Sequence, residues 1–223
     1  MGLRKISDIS NHKSLRTLIC DRANVFAVSP APAGAVRIPE SINGFSVASV
    51  GCSAFEDSAL TAITFPSTVR YIGGWAVSGC KKLKSVTLPG SVVLIGEKAF
   101  DGCTALEKVS LSEGLKYIDW NAFDGCVKLA AITLPDSLLA IEEDAFIDCR
   151  ALKSISVSQA HADRLPRTVC SSSSRICQIA GVMPASPIHS DLFHEEIARR
   201  RLLVCRLQEE SRPNGCVDVS ADA

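Results

Sequence analysis

The chain is predicted to fold as a right-handed solenoid of 23-residue units, with a parallel β-sheet on its concave side and short helical turns and extended segments on its convex side. Three observations predict this. Leu60, Leu83, Leu106, Leu129 and Leu152 recur every 23 residues, and Ile63, Val86, Val109, Ile132 and Ile155 keep the same period three positions later. Each such leucine opens a kernel L-x-x-V-x-L, whose V-x-L core alternates as a strand does. About eight apolar positions per unit are more than one thin unit can enclose, so the units must stack.

Three more columns keep the period: Phe65, Leu88, Leu111, Leu134 and Val157; Val69, Val92, Leu115 and Leu138; and Ile72, Ile95, Ile118 and Ile141. The clearest unit runs from Leu83 to Ala105, LKSVTLPGSVVLIGEKAFDGCTA. Its V-x-L core is a strand, the Pro or Ser that follows ends that strand, and a second extended piece closes at the isoleucine column. Gly73 and Gly96 are expected to permit a turn, and A-F-x-x-C has the spacing of a single helical turn that points Phe and Cys inward. Parallel stacking sets equivalent residues about 4.8 Å apart, so every column becomes a ladder of like side chains. Phe55, Phe100, Phe123 and Phe146 make the bulkiest ladder, interrupted at Val77. Cys80, Cys103, Cys126 and Cys149 sit in an inward column without any C-x-x-C and read as core thiols, not as a metal or redox array.

The kernel L-x-x-V-x-L followed by I-G-x-x-A-F-x-x-C resembles the BspA-like, Treponema-type leucine-rich repeat family. The resemblance covers roughly residues 36 to 158, with IPESINGFSVASVGCSAF from Ile38 to Phe55 similar to the family's longer first unit. It implies a right-handed leucine-rich repeat solenoid and a protein of bacterial surfaces, the periplasm or the secreted fraction that engages proteins or host components, as in adhesion. It also implies Cys or Asn at the inward corner that Cys80 occupies.

The open ends of a stack need caps. Residues 1–37 read as an N-terminal capping segment with strands at Leu15 to Cys20 and Val25 to Val28, 38–158 as the repeats, and 159–181 as a C-terminal cap. In that cap a helical turn is expected over Ala160 to Leu165 and a strand over Arg175 to Ile179. Residues 182–223 form a linker and tail, with Met183-Pro184-Ala185-Ser186-Pro187 as the linker and a helix from Ser190 that carries Phe193, Ile197, Val204 and Leu207 at helical spacing. Arg199, Arg200 and Arg201 read as the wet face of that helix.

Composition excludes several functions. Lys plus Arg and Asp plus Glu are 24 each, so no overall field draws the chain to nucleic acid. No stretch reaches the roughly 18 apolar residues of a membrane span, and the first twenty residues show no h-region. His12, His161, His189 and His194 form no H-E-x-x-H, and no G-x-S-x-G, phosphate loop or dinucleotide fingerprint occurs, so no enzyme, cofactor or metal is expected. The run Glu142, Glu143 and Asp144, with Asp119 one unit earlier, reads as a solvated turn and not as a cation site. Pairing among Cys170, Cys177, Cys205 and Cys216 depends on the compartment, which spacing does not reveal.

What remains is binding. The outward strand positions are Thr64, Thr87, Ser110, Thr133 and Ser156 in one column and Ala62, Ser85, Lys108, Ala131 and Ser154 in the next, a face that is small and nearly uncharged. Small and β-branched residues suit a flat parallel sheet in any case, yet they also let a partner come close. Trp75 stands where other units have Lys98, Asn121 and Asp144, Trp120 where they have Gly74, Glu97 and Glu143, and Tyr71 and Tyr117 share a column. Exposed aromatics of this kind are enriched in interface hot spots. The expected function is non-enzymatic binding of a protein or glycan through Thr64, Ser85, Thr87, Lys108, Ser110, Thr133 and Ser156 with Tyr71, Trp75, Tyr117 and Trp120. The alternative is a self-assembling structural module that pairs with its own copies as a homo-oligomer, or a binder of a small apolar ligand. The repeat itself is testable: deleting residues 84–106 removes one period in frame and should lower the thermal midpoint while leaving the far-ultraviolet circular dichroism per residue intact, and global unfolding would contradict nearest-neighbour stacking.

Overall fold

The computed structural model describes residues 4–5, 17–19, 23–25, 32–42, 44–142, 144–157 and 179–180. In chain order the strands are β1 (Arg4–Lys5), β2 (Thr17–Ile19), β3 (Ala23–Val25), β4 (Ala33–Arg37), β5 (Ser41–Ile42), β6 (Phe45–Val50), β7 (Ala59–Thr64), β8 (Tyr71–Ile72) and β9 (Ser85–Thr87). They continue as β10 (Leu94–Ile95), β11 (Lys108–Ser110), β12 (Tyr117–Ile118), β13 (Ala131–Thr133), β14 (Ala140–Ile141), β15 (Ser154–Ser156) and β16 (Ile179–Ala180).

These strands build two parallel ladders. The first holds the V-x-L strands, hydrogen-bonded as β4 with β7, β9 with β11, and β13 with β15. Its registers are the repeat itself: Ser85 faces Lys108, Val86 faces Val109 and Thr87 faces Ser110. The second ladder runs β6, β8, β10, β12, β14, with Tyr71 beside Leu94, Leu94 beside Tyr117, and Tyr117 beside Ala140. At the N-terminal end β2 and β3 form an antiparallel pair whose β3 joins β6, and β1 joins β4. At the other end β16 extends the first ladder, Ile179 lying beside Ile155. The turn expected over 160–165 and the tail helix expected from Ser190 lie outside the described residues.

Between the ladders is one apolar core. The five leucines of the kernel, the Val and Ile column behind them and the isoleucines of the second ladder are all buried. Phe100 stacks on Phe123 with ring centroids 5.2 Å apart and planes 3° apart, and Phe123 on Phe146 at 5.3 Å and 11°. Removing such a ring from a packed core costs about 3–5 kcal/mol, so this column is a large share of what holds adjacent units together. Val77, also buried, fills the missing rung between Phe55 and Phe100.

The expected helical turn is not what the chain builds. Among the described residues there is no helix, and A-F-x-x-C runs as a string of turns. The reason lies in where its N–H groups go. Alternate residues bond within the turn, as Ala76 to the Gly73 carbonyl (3.3 Å) and Ser78 to that of Trp75 (3.0 Å). The residues between them donate to the next unit: Trp75 to Glu97 (2.9 Å), Val77 to Ala99 (2.8 Å) and Gly79 to Asp101 (2.7 Å). An α-helix spends every interior N–H inside itself, so a turn that must also zip to its neighbour cannot be one.

Gly73 and Gly96 open the turns, their carbonyls accepting from Ala76 and Ala99, and they do more than permit a bend. Gly73 and Gly96 serve close approach: a Cβ on Gly96 would lie 2.9 Å from the Gly74 nitrogen and 3.0 Å from the Ile72 carbonyl oxygen in the unit before. Left-handed backbone falls instead at Trp75, Lys98, Asn121 and Asp144, with φ between 53° and 59°, and at Gly79, Gly102 and Gly125.

The thiol column is a hydrogen-bonded ladder. Cys80 Sγ donates to the Phe55 carbonyl (3.1 Å), Cys103 to Val77 (3.2 Å), Cys126 to Phe100 (3.3 Å) and Cys149 to Phe123 (3.1 Å). A small weak donor is what this site requires, since it satisfies the preceding unit's carbonyl at no cost in charge. Burial pushes the Cys80 thiol up to about 12 and raises Cys103 too. For Cys126 a hydrogen bond with Cys149 and then burial act in the same direction. Ser58 opens the column, and its buried hydroxyl has no hydrogen-bond partner. All four thiols should therefore resist iodoacetamide in the native chain while exposed Cys52 labels, as read residue by residue by mass spectrometry. Prompt labelling of Cys103 or Cys126 without denaturant would overturn the inward register.

Candidate functional site

The first ladder positions its outward side chains by strand alternation alone: with Val86 buried, Ser85 and Thr87 must face out. The same holds in β13, where Ala131 and Thr133 flank buried Ile132. Thr64, Thr87, Thr133 and Ser156 are exposed and Ser110 half-exposed; Ser85 and Lys108 are exposed in the second column. The structure thus sets the predicted strand residues on one side of the stack, in register within the pairs β9 with β11 and β13 with β15. Just before these columns lie Lys84, Glu107 and Lys153, all exposed, so the border of the face is charged although its centre is not.

The predicted aromatic residues belong to the other ladder and the turn that follows it. Tyr71 is half-buried in β8, whereas Tyr117 in β12 is only 6% exposed and packs with Leu94 and Ala140, Tyr71 and Val93 alongside. Outward placement on the second ladder therefore does not mean exposure. Trp75 is half-buried and carries φ 55°, a left-handed backbone that costs a bulky residue more than it costs Asn121 in the same column. Trp120 is 44% exposed, and its indole Nε1 donates to Glu142 Oε2 at 2.6 Å.

That contact corrects the reading of the acidic run. Glu142 is 7% exposed and Asp119 3%, so neither is a solvated turn residue. Both occupy the column of Gly73 and Gly96, where close packing leaves a side chain little access to water. Sharing the column of Gly73 and Gly96 was the signal that Glu142 is packed and not solvated. Leu139, 43% exposed, was also missed; it stands in the column of Arg70, Val93 and Lys116, where apolar and basic residues alternate. Among the described residues no group of three or more His, Cys, Asp or Glu is arranged to hold a metal ion, and no helix is long and apolar enough to cross a membrane.

A parallel β-solenoid of about five turns at a 23-residue spacing, with an open strand face, defines a leucine-rich repeat scaffold, a class generally non-enzymatic and typically used for protein interaction. Residues 36–176 match the BspA type leucine rich repeat region in six copies, and the chain belongs to that family. No curated protein matches it. Among solved structures, the Treponema pallidum leucine rich repeat protein is 29% identical with a TM-score of 0.63, over 67% of this chain and 71% of that one. A leucine-rich repeat protein from Bacteroides ovatus is 32% identical with a TM-score of 0.59; the match covers 66% of this chain and 41% of that longer protein.

Glu142 holds the Trp120 ring by a charge-assisted bond whose loss is worth about 1.5–3 kcal/mol. In a Trp75→Phe background, Glu142→Ala should therefore make Trp120 fluorescence more accessible to acrylamide. Unchanged quenching would mean that the ring is placed by packing alone.

Proposed function

We propose that this chain is a protein-binding module whose primary contact surface is the outward face of the first ladder. The observation that carries it is the run of Thr64, Thr87, Ser110, Thr133 and Ser156, five hydroxyl side chains in one outward column with none charged. A rigid ladder spends no side-chain entropy to present such a row, and short hydroxyls let a partner's backbone approach within hydrogen-bonding distance. Family membership supports the same reading, since leucine-rich repeat proteins bind protein partners.

The aromatic corner, Tyr71, Trp75 and Trp120, is a second contact area in this proposal. Trp75 in particular holds a left-handed backbone conformation that the polar residues Ser53, Lys98, Asn121 and Asp144 hold in the other units, and a bulky residue kept in that conformation points to use. Tyr117 acts from beneath, packing with its neighbours and keeping the corner firm.

The test uses a protein partner isolated on the immobilised 223-residue chain. Thr87→Arg with Thr133→Arg places two long cations on the sheet and should abolish binding while leaving the thermal midpoint within a few degrees, because both side chains are exposed. Trp120→Ala should weaken binding about tenfold or more. Affinity indifferent to both changes would place the interface elsewhere.

A further inference from the structure

The chain carries as many acids as bases, 24 of each, but the fold sorts them. Five stretches lead from the turns into the first ladder: 58–64, 81–87, 104–110, 127–133 and 150–156. They hold seven bases and one acid, Glu107. Lys81, Lys82 and Lys84 lie in one unit, Lys108 in the next, Lys128 in the third, and Arg150 with Lys153 in the last, and every one of these is exposed. Stacking turns these stretches into one strip of net charge +6.

The turn segments that precede them carry the opposite sign. Glu56 and Asp57, then Glu97 and Asp101, then Asp124, then Asp144 and Asp148 are exposed or half-exposed, against the single base Lys98. With Asp119 and Glu142 buried, and Glu143 set aside, the turn ridge still presents net −6. Crowding is felt within it: burial first, and then the charge of Asp124, raises the Asp101 carboxyl above its ordinary range, with Lys98 pulling the other way.

We infer that the basic strip of one copy docks on the acidic turn ridge of another, so that this chain associates with itself through unlike, oppositely charged surfaces. Two facts favour a second copy over a foreign polyanion. An acidic partner would engage only the strip, whereas a second copy engages strip and ridge together. Strip and ridge also share one spacing, since each repeats with the stack at about 4.8 Å per unit, so their rows of charge are commensurate. A contact between unlike surfaces is heterologous and grows beyond a pair unless it closes into a ring. Complementary potentials of this size act chiefly by steering encounter and fixing register.

Analytical ultracentrifugation of the full chain tests this. At about 0.01 M salt, where charges are felt over about 30 Å, the weight-average mass should rise with concentration to at least about twice that of one chain. At about 1 M, where the range is about 3 Å, it should fall back to one chain. Lys81→Glu, Lys82→Glu, Lys128→Glu and Arg150→Glu together reverse the strip; Glu56→Lys, Asp101→Lys, Asp124→Lys and Asp148→Lys reverse the ridge. Each variant alone should stay monomeric at low salt, and an equimolar mixture of the two should associate again. A control with the same change in net charge, Arg199, Arg200, Arg201 and Arg206→Glu in the tail, should associate as the unaltered chain does. The salt titration needs no substitution, so it stands even if a reversed variant fails to fold. A chain monomeric at low salt, an association that persists at 1 M, a mixture that stays apart, or a tail control that dissociates would each overturn the proposal.

Discussion

In-register parallel stacking is the constraint from which the rest of this protein follows. Because Ser85, Lys108 and the strands beyond them pair at the repeat's own spacing, each residue's nearest neighbour along the axis is its own counterpart one unit away. A position must therefore tolerate a near copy of itself at strand distance. Phenylalanine does so by stacking, at 5.2 Å and 5.3 Å. The thiols do so without burying charge, each reaching back to a carbonyl of the previous unit. A buried acid or base in those columns would face its like in a medium of low dielectric, which is why the phenylalanine and thiol columns are neutral.

The turn side obeys the same constraint through its backbone. Its N–H groups divide between closing the turn and bonding the next unit, which requires left-handed residues at fixed intervals. Asn121 and Asp144 adopt that conformation readily, Lys98 and Trp75 less so. Where the turns press on the unit before, Gly73 and Gly96 leave room for its backbone. The last two units substitute Asp119 and Glu142 there, and Glu142 holds Trp120 at the surface. Tolerance at this column thus changes along the stack, and a surface aromatic appears where it changes.

Exposed columns face a weaker form of the same rule. Water screens like charges at the surface, so lysines can accumulate beside the first ladder and carboxylates along the turns without unfolding the stack. A repeat fold multiplies any bias in one unit across all of them. Among the described residues, the repeats in this way carry a basic strip and an acidic ridge.

Much of this was legible in the residues. The 23-residue period fixes which residues stack, and the parallel registers, the buried leucine, isoleucine and phenylalanine columns and the exposure of Thr87 and Thr133 follow from period and alternation, which are properties of local order in the chain. What tertiary structure decided is how neighbouring units share space and hydrogen bonds. A-F-x-x-C has helical spacing, but competition from the next unit for its N–H groups turns it into a ribbon of turns. Gly96 opens its turn and is a contact residue as well; Glu142 looks solvated and is buried; Tyr117 looks outward and is covered by Leu94 and Ala140. The strand columns and the aromatic residues, equally prominent as sequence features, belong to separate ladders. In each case the deciding quantity is a distance between units, set by packing and not by any one unit's composition.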